Sequence, residues 1–293
     1  MADFIEDTSI EPVPGEPGKF RAALSPKWAV WGPNGGYVAA IALRAAMAAS
    51  RLPRPASFHC HFLAVGDFAP VDIHVASLGG GKRAESLRID LHQGDRLLLT
   101  ASAWMVADGL KGYEHDFAVA PAVSRPEQLQ GYQDLAKDEY DQWYPIWRSM
   151  EGRPLRWREA PGEPHYQGWL RFTDTAIADR QSDALRQLFW LDFPGWNATI
   201  SAHAWPFPFL TPNLDLTVQF HRFAPQQTWA LADGVVLVAE DGVLGCVSHL
   251  WSEDGKLLAT GTSKHMSRPN PQYEEELKRA REMGLIESKD ADS

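Results

Sequence analysis

Few residues of this chain are placed where their types and spacing could do chemistry. The stretch WGPNGGYVAAIALRAAMAAS (31–50) reads as a helix opened by Gly35-Gly36. The first N–H groups of a helix have no intrahelical acceptor and carry partial positive charge, and a glycine lets another group come close to them. GGGKR (79–83) places Lys82 and Arg83 behind three glycines. It is not a P-loop, because Ala76 stands where the first glycine belongs and Arg83 replaces Ser/Thr. It reads either as a flexible turn between strands or as two cations meeting the phosphates of a ligand. His59 and His61 share one strand face, but a metal site needs three or four convergent ligands. They are taken as structural, with His221 at the analogous place in a second half, and no metal is expected. Cys60 and Cys246 stand far apart in apolar surroundings and read as reduced core cysteines. No G-x-S-x-G nucleophile elbow is present.

These residues need elements to hold them. FHCHFLAVGD (58–67) has strand character, and in VDIHVASLG (71–79) Val71, Ile73, Val75 and Ser77 share a face. AESLRIDLHQGDRLLLTASAWMV (84–106) is two strands joined at QGD, a hairpin turn. One helix followed by an antiparallel meander makes an α+β unit. A polar, Pro-rich and aromatic stretch (112–163) then reads as a surface connection with a short helix inside it. Beyond it the pattern recurs. HYQGWLRF (165–172) is a strand, and SDALRQLFWLDFPGWNATISAHA (182–204) is mostly helical, with Ser182 or Asp183 as N-cap. The segments 214–223, 229–241 and 242–266 form another meander. QGDRLLLTASAW (93–104) matches EDGKLLATGTSK (253–264), with Thr100 over Thr260, and FHCHFLA resembles VQFHRFA. An internal repeat of this size implies two copies of one supersecondary unit. The expected division is 1–117, a linker at 118–160, 161–270, and a charged tail at 271–293.

Composition narrows the partners. The 293 residues are 44% hydrophobic and carry a formal net charge of -10 with no basic block, so neither nucleic acid nor an anionic membrane surface is expected. The acidic, Pro/Gly-rich start lacks a signal-peptide pattern, and no stretch approaches the ~18 apolar residues of a membrane span. A cytoplasmic location is the corresponding expectation. The 12 tryptophans suit either core packing or the lining of an apolar tunnel.

The ordered set NGGYVAAIAL (34–43), FHCHFLAVGD (58–67), GGGKRAESLRI (79–89), YEHDF (113–117), EPHYQGWLRF (163–172), LDLTVQFHRF (214–223) and DGKLLATG (254–261) resembles the acyl-CoA thioesterase II family. The resemblance covers roughly 20–117 and 155–268. It implies a double hot-dog fold, in which each of two fused units wraps a curved antiparallel sheet around a helix. It also implies hydrolysis of acyl-CoA in lipid metabolism, coenzyme A entering only as part of the substrate, no separate cofactor, and a homodimer of double hot-dog chains. In that family an Asp on the second-half helix, a hydroxyl residue on the next strand and a Gln on the last strand together hold a water. By position these fall on Asp192 in FWLDFPGW, which agrees, and on Asn213 and Ser263, which depart.

A thioester carbonyl is poorly stabilised by sulfur and its thiolate leaves readily. Water attack then requires a carboxylate base and a preorganised oxyanion donor. Asp192 lies among Phe189, Trp190, Leu191 and Phe193. Facing inward, it would be a desolvated base of raised pKa; with Pro194-Gly195 next, it reads equally as a turn residue facing water. Asn213 could hold a water where Thr would, and Ser263 is much shorter than Gln. Asp215, two residues beyond Asn213, would share its strand face and is a second candidate acid. The oxyanion donors are expected near Gly35, Gly36 and Tyr37, with Lys82 and Arg83 on the coenzyme phosphates. If neither Asn213 nor Ser263 replaces its counterpart, the chain is a catalytically degenerate acyl-thioester binder. A hot-dog dehydratase would want a His near the helix start, which Pro33-Asn34-Gly35-Gly36 lacks.

Overall fold

The computed structural model describes residues 3–137, 139–158, 161–282 and 284. The helices are α1 (Phe4–Asp7), α2 (Gly35–Ala49), α3 (Tyr132–Leu135), α4 (Arg180–Leu191), α5 (Pro194–Ser201) and α6 (Tyr273–Glu282). The strands of the first half are β1 (Glu11–Pro12), β2 (Lys19–Ala23), β3 (Arg54–Phe62), β4 (Pro70–Gly80), β5 (Ala84–Gln93) and β6 (Arg96–Val106). Those that follow are β7 (Met150–Pro154), β8 (His165–Phe172), β9 (Phe209–Leu210), β10 (Asn213–Phe220), β11 (Ala230–Val235), β12 (Ala239–Glu240), β13 (Val243–Ser252), β14 (Leu257–Met266) and β15 (Arg268–Pro269). No described helix is long and apolar enough to cross a membrane.

One antiparallel sheet runs through both halves in the order β1-β2-β4-β5-β6-β3-β10-β14-β13-β11-β8-β7. The two halves meet at the β3–β10 seam, where His59 stands opposite Thr217 and their side chains are 2.8 Å apart (Nδ1 to Oγ1). The order reads alike outward from this seam, which is the double hot-dog arrangement: α2 packs on β3–β6, and α4 packs on β10, β13 and β14. The repeat registers two residues away from the alignment read from sequence. Leu98 O accepts from Leu63 N–H, and Leu258 O accepts from His221 N–H. His221 therefore corresponds to Leu63, and Thr217 to His59.

The slimness of α2 follows from its position. Ala39, Ala40, Ala42, Ala45 and Ala46 are all fully buried, as is Ile41, so the helix is enclosed on every side. Small side chains let sheet and neighbouring helix close on it at interior density. α4 lies alongside, its N-terminal turn capped by Asp179, whose carboxylate accepts from Ser182 N–H at 2.8 Å. The cap thus precedes Ser182 and Asp183, the two residues expected for that role. Asp183 is instead fully buried. It accepts from Arg186 Nε at 2.9 Å, Gln187 Nε2 at 2.9 Å and Ala224 N–H at 2.6 Å, tying α4 to the loop after β10. A single hydrophobic core spans both halves, with Trp28, Phe189, Phe172 and Phe4 at its aromatic centre.

The connecting stretch carries more structure than one helix. It includes α3, short 3-10 turns and β7, which pairs with β8. Residues 120–129 cover a second, smaller core of Trp169, Trp229, Leu231 and Trp251. Trp28 and Trp190 are core residues, whereas Trp31 is 43% exposed and stacks edge-on with Trp196. Cys60 and Cys246 are buried free thiols. The part of the tail beyond α6, apart from Gly284, lies outside the described residues.

Candidate active site

α2 and α4 run antiparallel, so the start of one meets the end of the other. Asn34 is the N-cap of α2: its Oδ1 accepts from Tyr37 N–H at 2.9 Å. That bond settles the amide's orientation and turns Nδ2 outward as a donor. Asp192 is the residue on which α4 ends, and Pro194 then opens α5 at a helix position that needs no N–H. From there the Asp192 carboxylate reaches α2. Oδ2 accepts from Gly36 N–H at 2.8 Å and from Asn34 Nδ2 at 3.3 Å, while Oδ1 accepts from Asn213 Nδ2 at 2.6 Å.

Gly36 is required by this approach. A Cβ there would stand 2.9 Å from Asp192 Cβ and 3.1 Å from Phe189 O. The glycine pair expected to admit a ligand therefore admits Asp192 first. Two of the expected oxyanion donors are also engaged: Gly36 N–H by Asp192, and Tyr37 N–H by Asn34. The N–H of Gly35 has no acceptor among the described residues and lies half-buried beside Phe62.

Two opposing effects act on Asp192. Burial disfavours the carboxylate and pushes its pKa up to about 6, while the Gly36 N–H and the Asn34 amide draw it back. The positive end of α2 acts in the same direction as those two donors. A carboxyl so poised is ionised at neutral pH yet basic enough to accept a proton.

Asn213 opens β10 next to a β-bulge between Asn213 and Asp215. The bulge breaks the alternation that would put both on one face. Asn213 turns to Asp192, and Asp215 turns to the outer side, where its Oδ1 accepts from Lys264 N–H at 2.9 Å. Asp215 is thereby removed as a second acid. Ser263 lies buried on the inner face of β14, and its Oγ is 2.8 Å from His265 Nε2 rather than bonded to Asp192. Lys82 and Arg83 are not brought to this place. Their turn adjoins the far end of α2, where Ser50 Oγ donates to Glu85 Oε2 at 3.0 Å. That end is about 22 Å along the helix from Gly36. His59 and His61 face the other side of the sheet, their Nε2 atoms 3.1 Å apart.

Two residues at the site were not anticipated. Asn34 was legible in principle, as an Asn immediately before a helix-opening glycine pair. His265 carries no such signal, since its links to the site run through strand pairing with Asn213 and contacts with Ser263 and Gly195 that depend on the fold. Phe62 lies beside Gly35, and Trp196, in the first turn of α5, meets Trp31 and Phe207, with ring centroids 6.1 and 5.8 Å apart. The arrangement as a whole is a raised-pKa carboxylate at a helix N-terminus, an amide beside it and an aromatic surround. It can orient and deprotonate a water next to a polarised carbonyl.

Comparison with known proteins gives the family and the fold. Residues 24–106 match the model of an acyl-CoA thioesterase N-terminal domain, and residues 118–264 match the model of an acyl-CoA thioesterase C-terminal domain. No curated protein matches the sequence. Among solved structures, a conserved protein of unknown function with a hot dog fold from Alicyclobacillus acidocaldarius superposes with a TM-score of 0.77 at 20% identity. The match covers 91% of this chain and 98% of that one. The tesB protein of Mycobacterium avium subsp. paratuberculosis gives 0.75 at 20% identity, over 91% and 98%. The acyl-CoA thioesterase II TesB2 of Mycobacterium marinum gives 0.74 at 19% identity, over 92% and 100%. At these identities the structural likeness establishes the double hot-dog fold.

Proposed function

Because the chain belongs to the acyl-CoA thioesterase II family, we propose that it hydrolyses an acyl-CoA thioester to a carboxylic acid and free coenzyme A by direct attack of water. The observation that carries the proposal is the half-buried Asp192 carboxyl, desolvated and held at about 6 between the start of α2 and Asn213. Asp192 takes a proton from a water whose oxygen bonds to the thioester carbon. The carbonyl oxygen becomes an oxyanion and faces the start of α2, where the Gly35 N–H is the open donor. Collapse of the intermediate breaks the carbon–sulfur bond. The thiolate leaves with the proton returned by Asp192, and the acyl group keeps the water's oxygen as a carboxylic acid.

Asn213 acts in the place of the family's hydroxyl residue. One N–H of its Nδ2 donates to Asp192, and its Oδ1 is available to accept from the water. Ser263 stands in the place of the Gln. Lys82 and Arg83, an α2 length away, have no part in the reaction centre. The cellular role that follows is acyl-CoA turnover in lipid metabolism in the cytoplasm, with two chains pairing. The only groups the scheme needs are this chain's residues and water.

A second reading is favoured by one observation: the Ser263 hydroxyl is bonded to His265 and not to the Asp192 group. On that basis the chain would bind acyl-CoA without turning it over. Release of free thiol from acyl-CoAs of graded chain length, followed with a thiol-reactive dye, separates the two. Release that is lost in Asp192→Asn supports hydrolysis. Tight binding with no release above background for any chain length supports the binder.

A further inference from the structure

His265 is fully buried on the inner face of β14, directly opposite Asn213 in the strand register. Its Nδ1 lies 3.0 Å from Thr211 O and its Nε2 lies 2.8 Å from Ser263 Oγ. The ring is seated on Gly195, where a Cβ would come within 2.2 Å of Nε2. One side chain thus touches the first turn of α5, just after Asp192, and the segment that leads into Asn213. That segment is also held by Met266 N–H donating to Pro212 O at 3.1 Å.

The partners fix the ring's tautomer. A carbonyl oxygen only accepts, so Nδ1 carries the proton that points at Thr211. Burial disfavours the charged ring, which leaves Nε2 as an acceptor, and Ser263 Oγ–H must donate to it. The Ser263 oxygen then offers nothing but lone pairs to any other neighbour. Asn213 gives one N–H of its Nδ2 to Asp192 and keeps its Oδ1 as an acceptor.

We propose that His265 is a positioning residue that sets the hydrogen-bond polarity of the site. As the Nδ1–H tautomer it anchors the entry to β10 and commits the Ser263 proton, so that Ser263 presents an acceptor beside the Oδ1 acceptor of Asn213. A water there gives one hydrogen to Asp192 and the other to one of these acceptors, and turns a lone pair toward the substrate carbonyl. That is the orientation a nucleophilic water needs. A Ser263 hydroxyl free to donate would occupy one of the water's two lone pairs and compete with that orientation. The proposal rests on the hydrolase reading for its kinetic consequences, but the tautomer itself does not.

The test uses the full chain and four variants: His265→Leu, His265→Gln, Ser263→Ala and the double variant Ser263→Ala/His265→Leu. His265→Leu is expected to lower kcat about 10- to 100-fold with KM within about twofold, the effect of one or two lost positioning bonds. His265→Gln, whose amide oxygen can accept from Ser263, is expected to recover most of that loss. In the double variant, Ser263→Ala is expected to add nothing further, because the two residues act through one bond. Independent losses in the double variant, or equal rates for Leu and Gln, would overturn the proposal. If Leu fails to fold, the Gln and Ser263→Ala rates decide: a Gln variant slower than Ser263→Ala counts against it. Ring ¹⁵N shifts of His265 in the wild-type chain test the tautomer without any turnover. A protonated Nδ1 with an unprotonated Nε2 supports the assignment, and the reverse tautomer or an imidazolium at neutral pH overturns it. A wild-type chain that releases no thiol yet shows the expected tautomer would sink the hydrolase reading alone.

Discussion

Replacing Asp192 with Asn separates the cost of burying a charge from the use made of it. In the folded chain the carboxyl is held at about 6, against 3.8 for an exposed Asp. One pKa unit corresponds to about 1.36 kcal/mol, so keeping Asp192 ionised costs the fold about 3 kcal/mol. The sign follows from proton binding. The folded state holds this proton more tightly than the unfolded state, so stability falls as pH rises from about 4 and levels off above about 7. Asn carries no charge and contributes no such slope. The difference in unfolding free energy, wild type minus Asp192→Asn, should therefore drop by about 2.5 kcal/mol between pH 4 and pH 8. Urea titrations followed by tryptophan fluorescence at half-unit pH steps measure it. In the same samples kcat of the wild type should rise tenfold per pH unit below about 6 and plateau above about 7, and Asn should cost about 10²- to 10⁴-fold. A stability difference that does not change with pH would refute the claim that Asp192 is desolvated. An acid limb near pH 4 would refute its service as a base of raised pKa.

Gly36→Ala should destabilise the protein by about 1–3 kcal/mol despite the better helix propensity of Ala, because the new methyl group meets Asp192 and Phe189 O. Urea unfolding and thiol release should both register it. Asn34→Asp keeps the α2 cap but sets a second carboxylate next to Asp192, in place of a donor now 3.3 Å away. The acid limb of the pH–rate profile should move upward from about 6, the direction expected of two like charges. Asp183→Asn leaves Arg186 buried without its carboxylate partner and should cost about 3–5 kcal/mol, seen as a lowered thermal midpoint.

Local pattern made much of the framework legible. HYQGWLRF coincides with β8, and the QGD and DGK turns fall at Gly94 and Gly255, both at positive φ. The alternation of 71–77 lies within β4, and the alanine run gave the enclosed helix. Features that depend on contact between distant segments were not legible. Gly36 and Asp192 are 156 residues apart, and nothing local says that one needs the other to lack a side chain. Strict alternation put Asn213 and Asp215 on one face, and the bulge that separates them is a property of the pairing, not of the strand. The Asp179 cap was passed over because the apolar run begins only after Ser182. Asp192 itself was left between two readings by the residues around it. What decides between them is α2, which covers it from the other half of the chain.

The near mirror order of strands about the β3–β10 seam gives the antiparallel helices two ends that are counterparts of one another, so geometry alone would permit two reaction centres. Only one was kept. At the opposite end α2 finishes in Ser50, bonded to Glu85, and α4 begins with Arg180, paired to Asp108 at 2.5 Å. That twin has become a structural clasp. On the proposed function, two like halves would give one turnover site per polypeptide, with the start of α2 from the first half and Asp192 and Asn213 from the second both needed to build it.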